Sequence, residues 1–252
     1  MLSGLQRLVR PLVPPLVIDL VWRWRVSRLQ PPDPELYGSV FEPWRQAEFQ
    51  SFHSQVRERT LLSPARCWVL SSLLRQALAV PGVVYEAGVY RGGSALLLHL
   101  TMAQAGVARP LRLFDTFRGM PDTDAVRDRH VAGDFGDTTL EGVRDLFTAA
   151  LARPAPDIRP GLLPETFAGL EQDVVAFAHV DLDIYRSIMD ACDFIYPRMP
   201  AGGVMVFDDY GFPSCPGARA AVDQFFSDKS EVPLVLQTGQ AIVHRLPESG
   251  SP

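Results

Sequence analysis

A chain of 252 residues with 47% hydrophobic and 21% charged side chains can bury one α/β core with an N-terminal extension, or two small domains. Its net charge of −5 excludes a broad nucleic-acid footprint, which needs a clustered basic surface. Cys67, Cys192 and Cys215 are too widely spaced for a zinc pattern and odd in number, so they read as buried thiols of a reducing, cytoplasmic compartment.

The first thirty residues stand apart. Leu5 to Arg28 is apolar sequence punctuated by Arg7, Arg10, Arg23, Arg25 and Arg28, with Pro11, Pro14 and Pro15 inside it. The run from Leu12 to Trp24 is too short and too interrupted to span a bilayer, and no small-residue cleavage site follows it. A basic, Trp-containing amphipathic stretch suits peripheral contact with the inner face of a membrane. Packing on the domain or on a partner in a homo-oligomer accounts for it as well, and is the preferred reading. Pro31-Pro32-Asp33-Pro34 then marks a linker. This divides the chain into an arm at 1–34, an aromatic-rich helical cap region at 35–80 and a main domain at 81–248.

Ser63-Pro64 predicts a helix start by cap and first-turn proline, continuing through Leu70, Leu73, Leu74 and Leu78 until Pro81-Gly82 stops it. Short apolar runs then alternate with helical stretches, the signature of βαβ units. The expected strands are 83–87, 111–114, 157–159, 174–180, 204–207, 234–237 and 241–244. The expected helices fall near 93–105, 139–151, 186–198 and 217–227. A turn at Thr238-Gly239 joins the last two strands and implies an antiparallel edge. The fold expected is therefore α/β, doubly wound and Rossmann-like, with a mostly parallel sheet and an N-terminal helical extension.

Four constellations carry chemistry. Tyr85 to Ser94 (YEAGVYRGGS) follows the first strand and opens a helix, so glycines allow close backbone approach to a ligand and the helix start offers free N–H groups. The spacing is not that of a dinucleotide fingerprint, and a tight strand–helix turn explains it equally. Asp115 ends the next strand, where a carboxylate can take both hydroxyls of a ribose. His179-Val-Asp-Leu-Asp-Ile-Tyr185 ends the fourth strand and Asp208-Asp209-Tyr210-Gly211 the fifth. Carboxylates converging at neighbouring strand ends repel unless a cation compensates, and oxygen-only ligands favour Mg²⁺, Mn²⁺ or Ca²⁺ over zinc. The competing reading is that Asp183, Asp208 and Asp209 cap the segments that follow them. The Gly- and Asp-rich segment 118–138 is long for a connector and is expected to act as a mobile lid.

With these residues assembled, the chain resembles the macrocin O-methyltransferase (TylF/MycF/NovP) family, known for methylating deoxysugars on antibiotics. The matching stretches are EAGVYRGG from Glu86, FDTFRGMP from Phe114, GLLPETF from Gly161, HVDLDIY from His179, PAGG from Pro200 and FDDYG from Phe207. Arg118 departs from the pattern, standing where an acidic residue is frequent. The resemblance implies a class I methyltransferase fold with a seven-stranded sheet. It implies that Asp181, Asp208 and Asp209 hold Mg²⁺ and that Asp183 is the general base. It also implies that Glu86, Ala87, Gly88, Tyr90, Gly92, Ser94, Asp115 and Thr116 bind S-adenosylmethionine.

Methyl transfer is an in-line displacement from a sulfonium, so the acceptor oxygen must be positioned and its proton removed. Metal coordination lowers the pKa of a sugar hydroxyl, and a carboxylate takes the proton. Related catechol-type enzymes place a lysine three residues beyond the first metal aspartate. That position is Ile184 here, and the only lysine of the chain is Lys229, so Asp183 is the best-placed base. His179 is the alternative base, although it reads first as a partner of the metal ligands or a packed strand residue. The acceptor expected is a sugar on a small molecule or a glycan. A sugar dehydrogenase is disfavoured, because a Tyr-x-x-x-Lys pair is missing: Phe225 stands four residues before Lys229. A non-catalytic scaffold or peripheral membrane-binding relative predicts a degraded acidic site, whereas all four carboxylates are present.

Overall fold

The structure, a computed structural model, describes residues 17, 20, 21, 24, 41–150 and 154–247. The chain forms two units, Met1–Glu42 and Pro43–Pro252. In the first, Val17, Leu20, Val21 and Trp24 are helical and exposed, with the spacing of one helix face. The rest of the expected arm and linker lies outside the described residues. Among the described residues, no helix is long and apolar enough to cross a membrane.

The second unit is built on seven strands: β1 Val83–Ala87, β2 Leu111–Asp115, β3 Asp157–Pro160, β4 Val175–Val180, β5 Val204–Phe207, β6 Leu234–Val235 and β7 Ala241–His244. Their order across the sheet is β3-β2-β1-β4-β5-β7-β6. β1 to β5 pair in parallel, and β7 runs antiparallel to both neighbours, so a hairpin forms that edge with β6 outermost. The strand expected at 234–237 is shortened to Leu234–Val235, whereas that expected at 241–244 is found as such: Leu236 donates its N–H to the Gln240 carbonyl at 2.9 Å, closing the turn before β6 can extend.

Among the described residues, six α-helices accompany the sheet: α1 Ala47–His53, α2 Pro64–Ala77, α3 Gly93–Gln104, α4 Leu140–Ala149, α5 Tyr185–Ile195 and α6 Pro216–Phe226. α2 starts where the sequence predicts: the Ser63 hydroxyl accepts the Arg66 N–H at 3.3 Å, and Pro64 stands in the first turn. Period-2 alternation sends the strand side chains to opposite faces. On one face Val84, Leu113, Phe177 and Val206 pack with Leu70 and Leu74 of α2 and Leu97 of α3. On the other, Tyr85, Phe114, Val180 and Phe207 pack with Ile188 of α5 and Val222 of α6. The buried helical segment before β1 thus belongs to the same compact unit as the sheet.

The strand order reverses at β1, whose neighbours are β2 and β4. Open α/β sheets bind ligands at the carboxyl ends beside such a switch point. Register there places Ala87 beside Val180 and Val180 beside Phe207, so the residues that follow, Gly88, Asp181 and Asp208, emerge together.

Candidate active site

A cavity of about 550 Å³ opens at this edge. Gly88, Tyr90, Asp115 and Thr116 line it from the β1 and β2 ends, and Asp181, Asp183 and Asp209 from the β4 and β5 ends. Segment 118–138 folds over it, contributing Met120, His130 and Phe135 to the wall. That segment is tied back on itself by Met120 N–H to the Asp134 carbonyl at 2.8 Å and Gly133 N–H to the Met120 carbonyl at 2.9 Å.

Asp115 uses one carboxylate oxygen to accept the Val89 and Tyr90 N–H groups at 2.7 and 2.9 Å, and the other to accept the Phe117 N–H at 2.7 Å. It therefore fixes the turn after β1, and the lone-pair site left for a ligand is on the oxygen that accepts from Phe117. The Thr116 hydroxyl donates to the Gly119 carbonyl at 2.6 Å.

Glu86, Ala87, Gly92 and Ser94 stand apart from the cavity wall. Ala87 is packed in the sheet, and Gly92 precedes α3 in the left-handed region at φ 84°. Glu86 lies wholly buried against His179, with Oε1 and Nδ1 2.8 Å apart. Burial raises the Glu86 carboxyl against the opposing pull of His179 and Ser94. Burial lowers the His179 pKa, yet the Asp208 and Glu86 carboxylates outweigh it and push the imidazole up to about 10. His179 Nε2 stands 3.7 Å from Asp208 Oδ1 and, like Glu86 Oε2, has no hydrogen-bond partner among the described residues.

Ligand oxygens of Asp181, Asp208 and Asp209 lie within 4.8 Å of one another. Burial raises Asp181 and Asp209 well above the usual carboxylate range, and the charges of their acidic neighbours raise them further. Asp208 goes the other way: burial would raise it, but His179, Arg66 and Gln240 together hold it low. Its Oδ1 accepts from Gln240 Nε2 at 2.9 Å, and Oδ2 pairs with the Arg66 guanidinium. Buried carboxylates that repel one another, with oxygen donors only, fit a hard divalent cation.

Asp183 adopts a left-handed conformation at φ 57°, a strained placement for a side chain at a strand end. Its N–H donates to Asp209 Oδ2 at 3.1 Å, and its Oδ1 accepts from the Cys215 thiol at 3.2 Å. Burial raises its carboxyl, with Cys215 and His130 opposing. Asp183 does not cap α5; Asp128 of the covering segment does, accepting the Tyr185 N–H at 2.9 Å.

Sequence reasoning missed Arg66, Gln240, His130 and Cys215 as parts of this site. Arg66 and Gln240 reach Asp208 from 142 and 32 residues away, with no local signal. Cys215 had a usable one, since it follows Asp209 by six residues in the same strand–helix loop.

A seven-stranded sheet of this order, with cavity-lining turns and an acidic cluster at the carboxyl ends of β1, β2, β4 and β5, has the class I, Rossmann-like methyltransferase fold. The O-methyltransferase NovP shares it with a TM-score of 0.66 at 22% identity, over 75% of this chain and 83% of that one. The calicheamicin methyltransferase CalS11 shares it at 0.62 and 19% identity, over 85% and 97% of the two chains. The family described as Macrocin-O-methyltransferase (TylF) matches residues 60–238, and the chain belongs to it.

Among its relatives is the 8-demethyl-8-(2,3-dimethoxy-alpha-L-rhamnosyl)-tetracenomycin-C 4'-O-methyltransferase of Streptomyces olivaceus. It is 32% identical over 145 residues, which are 54% of this chain and 56% of that protein. The mycinamicin III 3''-O-methyltransferase of Micromonospora griseorubida is 29% identical over 184 residues, 69% of this chain and 70% of that one. The chain thus spans little more than half the length of the first of these relatives.

Proposed function

We propose that the chain is an S-adenosylmethionine-dependent, divalent-metal-assisted O-methyltransferase acting on a sugar hydroxyl of a glycosylated natural product or glycan. The observation that carries this reading is the shared cavity: the Gly88–Tyr90 turn with Asp115 faces Asp181, Asp183 and Asp209 across one space of about 550 Å³. Family membership and the sugar-directed names of the relatives support it.

In this reading Asp115 receives the ribose hydroxyls, while Gly88, Tyr90 and Thr116 hold the rest of the cofactor. Asp181, Asp208 and Asp209 would hold Mg²⁺, which supplies Lewis-acid polarisation of the acceptor hydroxyl. Asp183 accepts the hydroxyl proton as the oxygen attacks the methyl carbon. Its N–H on Asp209 fixes the base relative to the acidic cluster. Leu61, Leu62 and Phe212 give the cavity an apolar stretch of wall. The helical segment 43–80, which supplies the two leucines and Arg66, acts as a cap over the acceptor.

Calorimetric titration of S-adenosylmethionine tests the cofactor half. Micromolar binding is expected, weakened at least tenfold in Asp115→Ala, which removes a charge-assisted contact of about 1.5–3 kcal/mol. A folded protein that binds no cofactor sinks the methyltransferase reading and leaves the scaffold alternative. Asp183→Asn should keep cofactor affinity while methyl transfer to a glycosylated acceptor falls about 10²–10⁴-fold. Turnover within a few-fold of the parent would remove Asp183 as the base.

A further inference from the structure

Three metal-ligating atoms of different kinds meet beside the acidic cluster, and the proposed reaction does not use two of the residues that bear them. His130 Nε2 lies 3.8 Å from Asp183 Oδ1 and 3.7 Å from Cys215 Sγ, and that sulfur lies 3.2 Å from the same Asp183 oxygen. Zinc holds sulfur at about 2.3 Å and nitrogen or oxygen at about 2.0–2.2 Å, so the ligand-to-ligand edges of a tetrahedral site are about 3.4–3.6 Å. The three observed edges bracket that range. An ion can enter with shifts of a few tenths of an ångström and without moving the backbone.

The surroundings are those of a built site. His130 Nδ1 is 3.0 Å from Asp134 Oδ2, and the tautomer that donates from Nδ1 turns the Nε2 lone pair toward Cys215 and Asp183. This carboxylate–histidine pairing is the support that zinc-ligating imidazoles usually have. Asp134 is itself held by the Val131 N–H at 3.1 Å, and Asp128 anchors the same segment to the start of α5. All three ligands line the cavity, which leaves a fourth position open to water.

We propose that His130, Asp183 and Cys215 form a second metal site, specific for zinc-like divalent ions and separate from the oxygen-only cluster of Asp181, Asp208 and Asp209. A thiolate and an imidazole select Zn²⁺ or Co²⁺ and discriminate against Mg²⁺. The ion displaces the Cys215 thiol proton to solvent, ties segment 118–138 to the β4 and β5 ends and occupies the Asp183 oxygen. On the proposed function, on which this consequence alone rests, zinc therefore withdraws the base and slows methyl transfer.

The test is a Co²⁺ titration of the full chain, with a non-thiol reductant and excess Mg²⁺. It reads metal binding and not turnover, so its outcome is independent of whether the protein methylates anything. Expected is a thiolate-to-cobalt charge-transfer band that saturates at one equivalent and is bleached by Zn²⁺. The band should vanish in Cys215→Ser, persist in Cys67→Ser and Asp209→Asn, and require 10–100-fold more cobalt in Asp134→Ala. Should Cys215→Ser fail to fold, His130→Ala replaces it, since that ring is partly exposed on the covering segment and its removal leaves the core intact. A folded wild-type protein without the band, or a band that survives both ligand substitutions, overturns the site.

Discussion

Asp209→Asn should stabilise the metal-free protein at neutral pH while lowering methyl transfer by at least about 10²-fold. The two effects share one cause. Burial drives Asp181 and Asp209 above the ordinary aspartate value of 3.8, helped by the charges of Asp209 and Asp208 on Asp181 and of Asp183 and Asp208 on Asp209. A carboxyl whose folded-state pKa stands above its unfolded value binds its proton more tightly when folded. Its contribution to stability is intact below 3.8 and is lost as pH rises through the folded value. Above 3.8 the native state is therefore progressively destabilised, either by repulsion between the charges or by the proton uptake that relieves it.

Each unit of elevation costs about 1.4 kcal/mol. Asparagine is near-isosteric, keeps an oxygen for the Asp183 N–H and removes the charge. The melting temperature should rise by about 3–6 °C per unit relieved, given the sensitivity of domains of this size. Saturating Mg²⁺ should reverse the ranking, because the parent then gains binding energy that the variant has lost. Lewis-acid assistance is worth several kcal/mol and 1.36 kcal/mol is a factor of ten, so the rate loss is large. Thermal melts at several pH values, with and without Mg²⁺, decide the matter. A variant less stable than the parent without metal, at every pH, would mean that these carboxylates do not repel in the folded state.

The parts of this arrangement that the sequence discloses are those written in contiguous residues. β1, β2, β4 and β5 appear as short apolar runs because each is buried on both faces of a parallel sheet, and their ends are marked by the polar residues that follow. Asp181, Asp183, Asp208 and Asp209 are therefore recognisable as strand-tip carboxylates from the linear order of residues alone. What stays hidden is whatever tertiary contact decides. Nothing local to Arg66 shows that its guanidinium reaches Asp208, because α2 precedes β5 by well over a hundred residues. Glu86 reads as a ligand residue from its place in EAGVYRGG, yet the fold turns it inward to His179 on the neighbouring strand. The two faces of a strand are one residue apart in sequence, so a motif names the strand tip without saying which side chains face the cavity. Cys215 and His130 illustrate the same limit, since their spacing of 85 residues carries no metal pattern and only the covering segment brings them together.

Gly88→Ala should be the most damaging Gly→Ala change among the described residues. Gly88 sits at φ +86°, where an L-residue costs about 1–2 kcal/mol. A Cβ there would fall inside the Asp181 carbonyl oxygen and 2.7 Å from the Asp181 carbonyl carbon, both of them backbone. No side-chain rotamer relieves such a clash. The tip of β1 is locked at that point to β4 by Asp181 N–H on the Ala87 carbonyl at 2.9 Å and to β2 by Gly88 N–H on the Phe114 carbonyl at 2.9 Å. The strand tips must separate, and Asp181 moves with them, so the same methyl group strikes both the sheet and the acidic cluster. A combined cost of about 3 kcal/mol or more lowers the melting temperature by about 6–12 °C. Stabilisation by Mg²⁺ should disappear from whatever fraction remains folded. Gly106→Ala is the matched control, because Gly106 has a similar φ of +67° and open space around it. It should lose only the conformational cost and keep its response to Mg²⁺. Equal losses in the two variants would mean that the β1 and β4 tips are not crowded, and that the position of Asp181 does not depend on a glycine at 88.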